Sequence, residues 1–201
     1  MERIKFNDPL AVEVLKNGDI LAFPTETVYG LGVRFDNKKA YDHLIKVKNR
    51  PSNKHFTLMV GNLDCIENYA HINSGIKRVI EKFMPGQLTI ILKSKESVPE
   101  YVCGKECTIG IRCPNLDKLR KLINDVGVPL LVPSANKSGK TPCSSVEEVI
   151  KEFNNEFEYV VDDIITMTNV PSTVIDFTSD EPKLIREGNI SIEDIKEIYY
   201  E

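Results

Sequence analysis

The sequence predicts an α/β domain built on one twisted, mixed sheet flanked by helices. Three observations carry that prediction. Short apolar runs of strand length are interleaved with stretches of helical periodicity. Several of those runs follow one another with no helix between them, and no strict strand–helix–strand rhythm, as a doubly wound parallel sheet needs, runs through the chain. The chain of 201 residues holds no internal repeat, low-complexity tract or Pro/Gly/Ser-rich linker, so one domain is expected across residues 1–201.

The elements follow in order. Asp8 and Pro9 cap and start a helix whose inner face carries Ala11, Val14 and Leu15, and Gly18 ends it. Residues 19–23 read as a buried strand that runs into Pro24. Asn37 caps a second helix with Ala40, Leu44, Ile45 and Val47 turned inward. It cannot pass Asn49, because Arg50 precedes Pro51. Further strands are expected at 56–60, 88–93, 107–112, 129–132, 158–161, 173–177 and 183–186, and helices near 75–83, 115–125, 145–153 and 191–199.

Composition narrows the class. Hydrophobic residues make up 41% and charged residues 28%, which is ordinary globular usage rather than that of a disordered chain. No apolar run reaches membrane-spanning length and the first residues lack a secretory signal, so a cytoplasmic protein with no membrane partner is expected. Cys103, Cys107 and Cys113 lie close together, but they form no CxxC pair and the histidines are distant. No metal site is expected, and the thiols should be reduced. A net charge of −4 argues against a protein that coats nucleic acid. Residues 34–54 nevertheless carry seven Lys/Arg against two Asp, while residues 147–201 carry four against fifteen acidic residues. A local basic site on an acidic chain suits a small anionic ligand; a solvated helix face is the plainer explanation for most of those lysines.

Familiar nucleotide motifs are missing. Gly139-Lys140-Thr141 resembles the end of a P-loop, but Ser134 stands where its first glycine belongs. Gly30-Leu31-Gly32 opens like a dinucleotide fingerprint, but Phe35 takes the third glycine's place. What the chain does contain is a series of glycine-, serine- and arginine-bearing segments next to expected strands. Pro24–Gly32 reads as a turn whose two glycines let the backbone approach a ligand. Lys48, Arg50 and Lys54 form a compact cationic group at a helix end, where they suit either the helix dipole or a polyphosphate. Thr108, Gly110 and Arg112 share one face of a strand, and Arg112 could grip a carboxylate or simply lie at the surface. Residues 133–139 leave the end of an apolar strand, the usual place for a ligand loop; 171–176 and 184–188 complete the set.

Taken together and in order, PTETVYGLG at 24–32, KNRP at 48–51, TIGIR at 108–112, PSANKSG at 133–139, PSTVID at 171–176 and LIREG at 184–188 resemble the YrdC/TsaC-type threonylcarbamoyl-AMP synthase family in its short form. The resemblance spans nearly the whole chain. It implies a twisted mixed sheet around a central basic cavity, and a nucleotidyltransferase that joins L-threonine, bicarbonate and ATP into threonylcarbamoyl-AMP and pyrophosphate. That product serves threonylcarbamoyladenosine formation in tRNA. ATP is the co-substrate, with Mg²⁺ expected on its phosphates, and transient contact with tRNA or a threonylcarbamoyl transferase complex is implied. The alternative is a paralogous RNA-binding protein of the same fold without synthase activity.

The resemblance also implies roles. Thr27, Arg112, Val132 and Ser172 would hold threonine, Arg112 by its carboxylate and Val132 through its backbone. Arg50, Lys54, Thr108, Ser134, Cys143 and Arg186 would contact ATP. Lys48, Arg50, Ser134 and Asn136 form the Lys/Arg/Ser/Asn set assigned to catalysis. This chain departs from the pattern at Met59, where longer relatives often carry histidine, and at Cys143, where some carry serine. The reaction needs no covalent enzyme intermediate, which agrees with the lack of a recognisable nucleophile–base pair.

Overall fold

A computed structural model describes residues 1–49, 56–154 and 156–201. Strand β1 spans Glu2–Ile4, helix α1 Pro9–Asn17, β2 Leu21–Pro24, β3 Tyr29–Arg34 and α2 Lys38–Lys48. β4 covers Leu58–Met59, α3 Ser74–Phe83, β5 Leu88–Lys93, α4 Glu100–Cys103 and β6 Thr108–Arg112. α5 is Asp117–Val126, β7 Leu130–Leu131, α6 Val146–Phe153, β8 Tyr159–Val161, β9 Thr173–Asp176, β10 Lys183–Arg186 and α7 Ile192–Tyr200.

The caps agree with the local chemistry. Asp8 accepts from the Leu10 N–H at the start of α1, and Gly18, at φ 88°, closes it in the left-handed region. Asn37 accepts from the Lys39 and Ala40 N–H groups, and Asn49 ends α2 at φ 49°. That stop places the last side chain of the helix, Lys48, against the loop that follows β7.

Ten strands form one sheet in the order β1-β8-β2-β3-β7-β4-β6-β5-β9-β10. Its pairings are mixed as predicted: β2 with β8, β4 with β6 and β5 with β9 are parallel, while β2–β3, β3–β7 and β5–β6 are antiparallel. The two faces bury separate cores. Leu21, Phe23 and Leu130 point to one side, under α1 and α5. Ile20, Ala22 and Leu131 point to the other, under α2, α3, α6 and α7. Because strand side chains alternate, neighbours in one strand serve different cores.

One element differs in kind from the sequence prediction. Residues 24–32 are not a single turn: β2 and β3 form an antiparallel hairpin pairing Leu21 with Gly32 and Pro24 with Tyr29. Two glycines depress strand propensity, which is why the run does not read as a strand. They sit there because a Cβ at Gly32 would come 2.4 Å from the Phe23 ring, and one at Gly30 would come 2.6 Å from Val132. The short β1 and α4, and a 3₁₀ turn over Leu63–Asn68, also escaped prediction. No helix among the described residues is long and apolar enough to cross a membrane.

Candidate active site

The hairpin turn 25–28, the ends of β6 and β7 and the start of β9 converge on a cleft of about 160 Å³. Thr27, Arg112, Val132, Ser134, Ser172 and Arg186, all singled out in the sequence, line it. These residues are as far apart as 159 positions in the chain, and sheet topology alone brings them together.

Arg112 lies at the buried side of the cleft. Strand alternation gives Ile109 and Ile111 to the core and turns Arg112 the other way, as predicted. Its Nε donates to Gly86 O at 3.2 Å and its Nη1 donates to Thr27 Oγ1 at 3.2 Å. Thr27 is fixed in turn. Thr25 Oγ1 accepts from the Thr27 and Val28 N–H groups and lies 2.9 Å from Thr27 Oγ1. Such a hydroxyl-closed turn explains a Thr two residues before Thr27.

Across the cleft, Arg186 donates from Nε to Ser172 O at 3.0 Å and from Nη2 to Ser172 Oγ at 3.0 Å. Ser172 Oγ also lies 2.9 Å from Thr89 Oγ1. Burial lowers the Arg186 pKa, and the positive charge of Arg112 lowers it further. Two guanidiniums that feel each other across one small space favour an anionic occupant.

Lys48 does not line the cleft. Only 1% exposed, it donates to Ser134 O and Asn136 O, each at 2.5 Å, and to Asn136 Oδ1 at 3.1 Å. Ser134 Oγ donates to Asn136 Oδ1 at 2.6 Å, and the Asn136 amide donates to Lys137 O and Lys140 O. Lysine, serine and asparagine thus form one network that shapes loop 133–140 and presents Ser134 to the cleft. The loop is also stitched to β3 by the Ala135 N–H donating to Tyr29 O.

Cys143 is buried and is not among the lining residues; its backbone accepts from the Tyr29 N–H and donates to Ala135 O. Burial pushes its thiol up to about 11, with Glu148 and Glu152 adding to the effect. Thr108 lies at the far end of β6, roughly 13 Å along the strand from Arg112. Arg50 and Lys54 lie outside the described residues.

Sequence reasoning missed Thr25, Thr57 and Thr89 in the lining, along with Glu26 beside it. Thr89 carried a signal: it is a lone buried hydroxyl in an otherwise apolar strand, and buried polar groups need partners. The side chains that line the cleft are hydroxyls, guanidiniums and apolar groups, with no carboxylate among the described lining residues. They do not form a protein-held Mg²⁺ site. No cluster of three or more His, Cys, Asp or Glu side chains that could hold a metal occurs among the described residues.

This is a fold with two arginines on a cleft where five of the six sequence motifs meet among the described residues, and it defines a class. The model of the Sua5/YciO/YrdC family, described as "Telomere recombination", matches residues 13–188, and the chain belongs to that family. A Methanocaldococcus jannaschii protein, provisionally named a threonylcarbamoyl-AMP synthase, is 39% identical over 192 residues, covering 96% of this chain and 90% of its own length. The threonylcarbamoyl-AMP synthase of Bacillus subtilis is 33% identical over 98% of this chain but 58% of its own length. The structure of Pyrococcus abyssi Sua5 complexed with L-threonine superposes with a TM-score of 0.89 at 33% identity, covering 94% of this chain and 56% of that one. The chain therefore spans little more than half the length of the latter two relatives.

Proposed function

We propose that this chain is a threonylcarbamoyl-AMP synthase, a nucleotidyltransferase acting on L-threonine, bicarbonate and ATP. The observation that carries the reading is the buried Arg112 guanidinium beside Thr27, facing Ser172 and Arg186 across a cleft of amino-acid size. Sua5 of P. abyssi, a relative that binds L-threonine, lends support.

In this reading Arg112 takes the threonine carboxylate, Thr27 and Ser172 hydrogen-bond its amine or hydroxyl, and Val132 contributes backbone. ATP lies on the Arg186 side, with Ser134, Arg50, Lys54 and Thr108 along the nucleotide. Burial keeps the thiol of Cys143 protonated at neutral pH, so its contact with the nucleotide runs through the backbone. Arg50 and Ser134 act on the phosphates, while Lys48 and Asn136 act through the loop they hold. The central basic cavity of this reading is the cleft that Arg112 and Arg186 face. Mg²⁺ would arrive on the ATP phosphates.

The chemistry runs in two steps. The neutral threonine amine attacks bicarbonate, forming a C–N bond and releasing water, to give the carbamate. A carbamate oxygen then attacks the α-phosphorus of ATP, and pyrophosphate leaves with the electron pair of the broken P–O bond. Positioning and charge neutralisation supply the rate. The product passes to partners that modify tRNA, in a cytoplasmic setting.

The test is pyrophosphate release by purified protein given ATP and bicarbonate, with and without L-threonine. Threonine-dependent release supports the reading. No release with threonine overturns it in favour of a binding protein of the same fold, and release with carbamoyl phosphate alone overturns it in favour of a carbamoyl-adenylate-forming enzyme.

A further inference from the structure

We infer that Glu26 is a positioning residue that sets how Arg112 meets the substrate carboxylate. This rests on the proposed function and deepens it, because nothing in the sequence motifs assigns Glu26 a role.

Glu26 sits between Thr25 and Thr27 in the hairpin turn, yet it is not among the residues that line the cleft. Its Oε1 lies 2.8 Å from Arg112 Nη2, with the two side chains 12% and 7% exposed. The same oxygen accepts from the Asn115 N–H at 2.9 Å. Glu26 O accepts from the Thr168 N–H at 3.0 Å, so this residue ties the hairpin turn to the end of β6 and to the segment before β9.

The guanidinium is consequently held on three sides: by Gly86 O at Nε, by Thr27 Oγ1 at Nη1 and by the Glu26 carboxylate near Nη2. The Glu26 contact is a close, buried charge pair, and Glu26 Oε2 has no hydrogen-bond partner among the described residues. Gly86 O and Thr27 Oγ1 fix the guanidinium plane, and Glu26 holds its Nη2 edge by charge. One Glu26 oxygen meets one nitrogen of Arg112, so the pair is not the two-pronged fork that a substrate carboxylate would have to displace. Its negative charge also sits behind one of two neighbouring cations, where it offsets the repulsion from Arg186.

The experiment compares wild-type protein with Glu26→Gln and Glu26→Asp in threonine-dependent pyrophosphate release, using L-threonine and L-threoninamide, which lacks the carboxylate. Glutamine keeps an acceptor for the Asn115 N–H and removes the charge. The expected result is a threonine KM raised about tenfold in Glu26→Gln, as for one charged contact. The loss should fall on KM more than on kcat, preference for threonine over its amide should shrink, and Glu26→Asp should recover part of it. A merely structural role would lower melting temperature and kcat without changing the threonine-to-amide ratio, and that pattern overturns the inference. If Glu26→Gln does not fold, Glu26→Ala is measured in the same way, and an unchanged threonine-to-amide ratio there overturns it equally. Wild-type protein inactive with threonine overturns the functional reading itself, whereas active wild type with an unchanged Glu26→Gln ratio overturns only the role of Glu26.

Discussion

Replacing Lys48 with methionine isolates what a buried ammonium does in this site. The side chain is 1% exposed and donates to three oxygens of one loop, while the Ser138 N–H donates back to Lys48 O. Methionine fills a similar volume but donates nothing. Among the described residues, Asn136 O accepts from Lys48 alone, so it becomes an orphaned acceptor at about 1–3 kcal/mol. Ser134 O keeps the Asn136 N–H and Asn136 Oδ1 keeps the Ser134 hydroxyl, so each loses one of two partners, roughly 0.5–1 kcal/mol apiece. Methionine is easier to bury than an ammonium, which returns part of the loss. A net destabilisation of about 2–4 kcal/mol follows, or roughly 5–15 °C in melting temperature for a chain of this size. Urea unfolding measures it directly. Turnover should fall as well, because loop 133–140 presents Ser134 to the cleft. A variant within about 0.5 kcal/mol of wild type and fully active would refute the view that Lys48 builds this loop.

Other perturbations separate binding from folding. Arg112→Ala should weaken threonine binding about a hundredfold, a charged hydrogen-bonded contact of about 2–3 kcal/mol, and ATP binding by far less; calorimetry showing the reverse order would remove Arg112 from the carboxylate site. Gly32→Ala should destabilise by about 1–3 kcal/mol, since its Cβ would lie 2.4 Å from a Phe23 ring that has no room to move; an unchanged unfolding midpoint would contradict the packing. Alkaline pH should also destabilise. Burial raises Tyr29 to about 12 and Cys113 and Cys143 to about 11, so the unfolded chain loses these protons first. Their contribution is complete below about pH 9 and is lost as pH rises through the folded values, at about 2–3 kcal/mol per group. A flat unfolding midpoint from about pH 8 to 11 under reducing conditions would count against it.

Much of the fold was legible because its signals are local. The Asp8 and Asn37 caps, the Gly18 and Asn49 stops and the apolar runs at β5, β6 and β8 each follow from a few neighbouring residues. β3 was not legible, because the glycines it needs for packing on Phe23 and Val132 are the residues that hide a strand. The site divides in the same way. Alternation in β6 put Thr108, Gly110 and Arg112 on one face, but only the β3–β7, β4–β7 and β4–β6 pairings bring Arg112 to Thr27 and Val132. Lys48 reads in the sequence as a member of a cationic group. Its burial depends on loop 133–140 folding over it, a contact between residues 86 and 88 positions apart. Glu26 was hidden in the same sense: one carboxylate in a polar turn carries no sign that an arginine 86 positions away will meet it.

The proposed chemistry requires an amino acid's carboxylate and a nucleotide's phosphates to share this one cleft. A crystal structure of the protein with L-threonine and a non-hydrolysable ATP analogue tests that most directly. The threonine carboxylate should lie within hydrogen-bond distance of Arg112, its amine or hydroxyl near Thr27 and Ser172, and the α-phosphate beside it on the Arg186 and Ser134 side. Threonine bound away from Arg112, or a nucleotide seated elsewhere on the sheet, would contradict it.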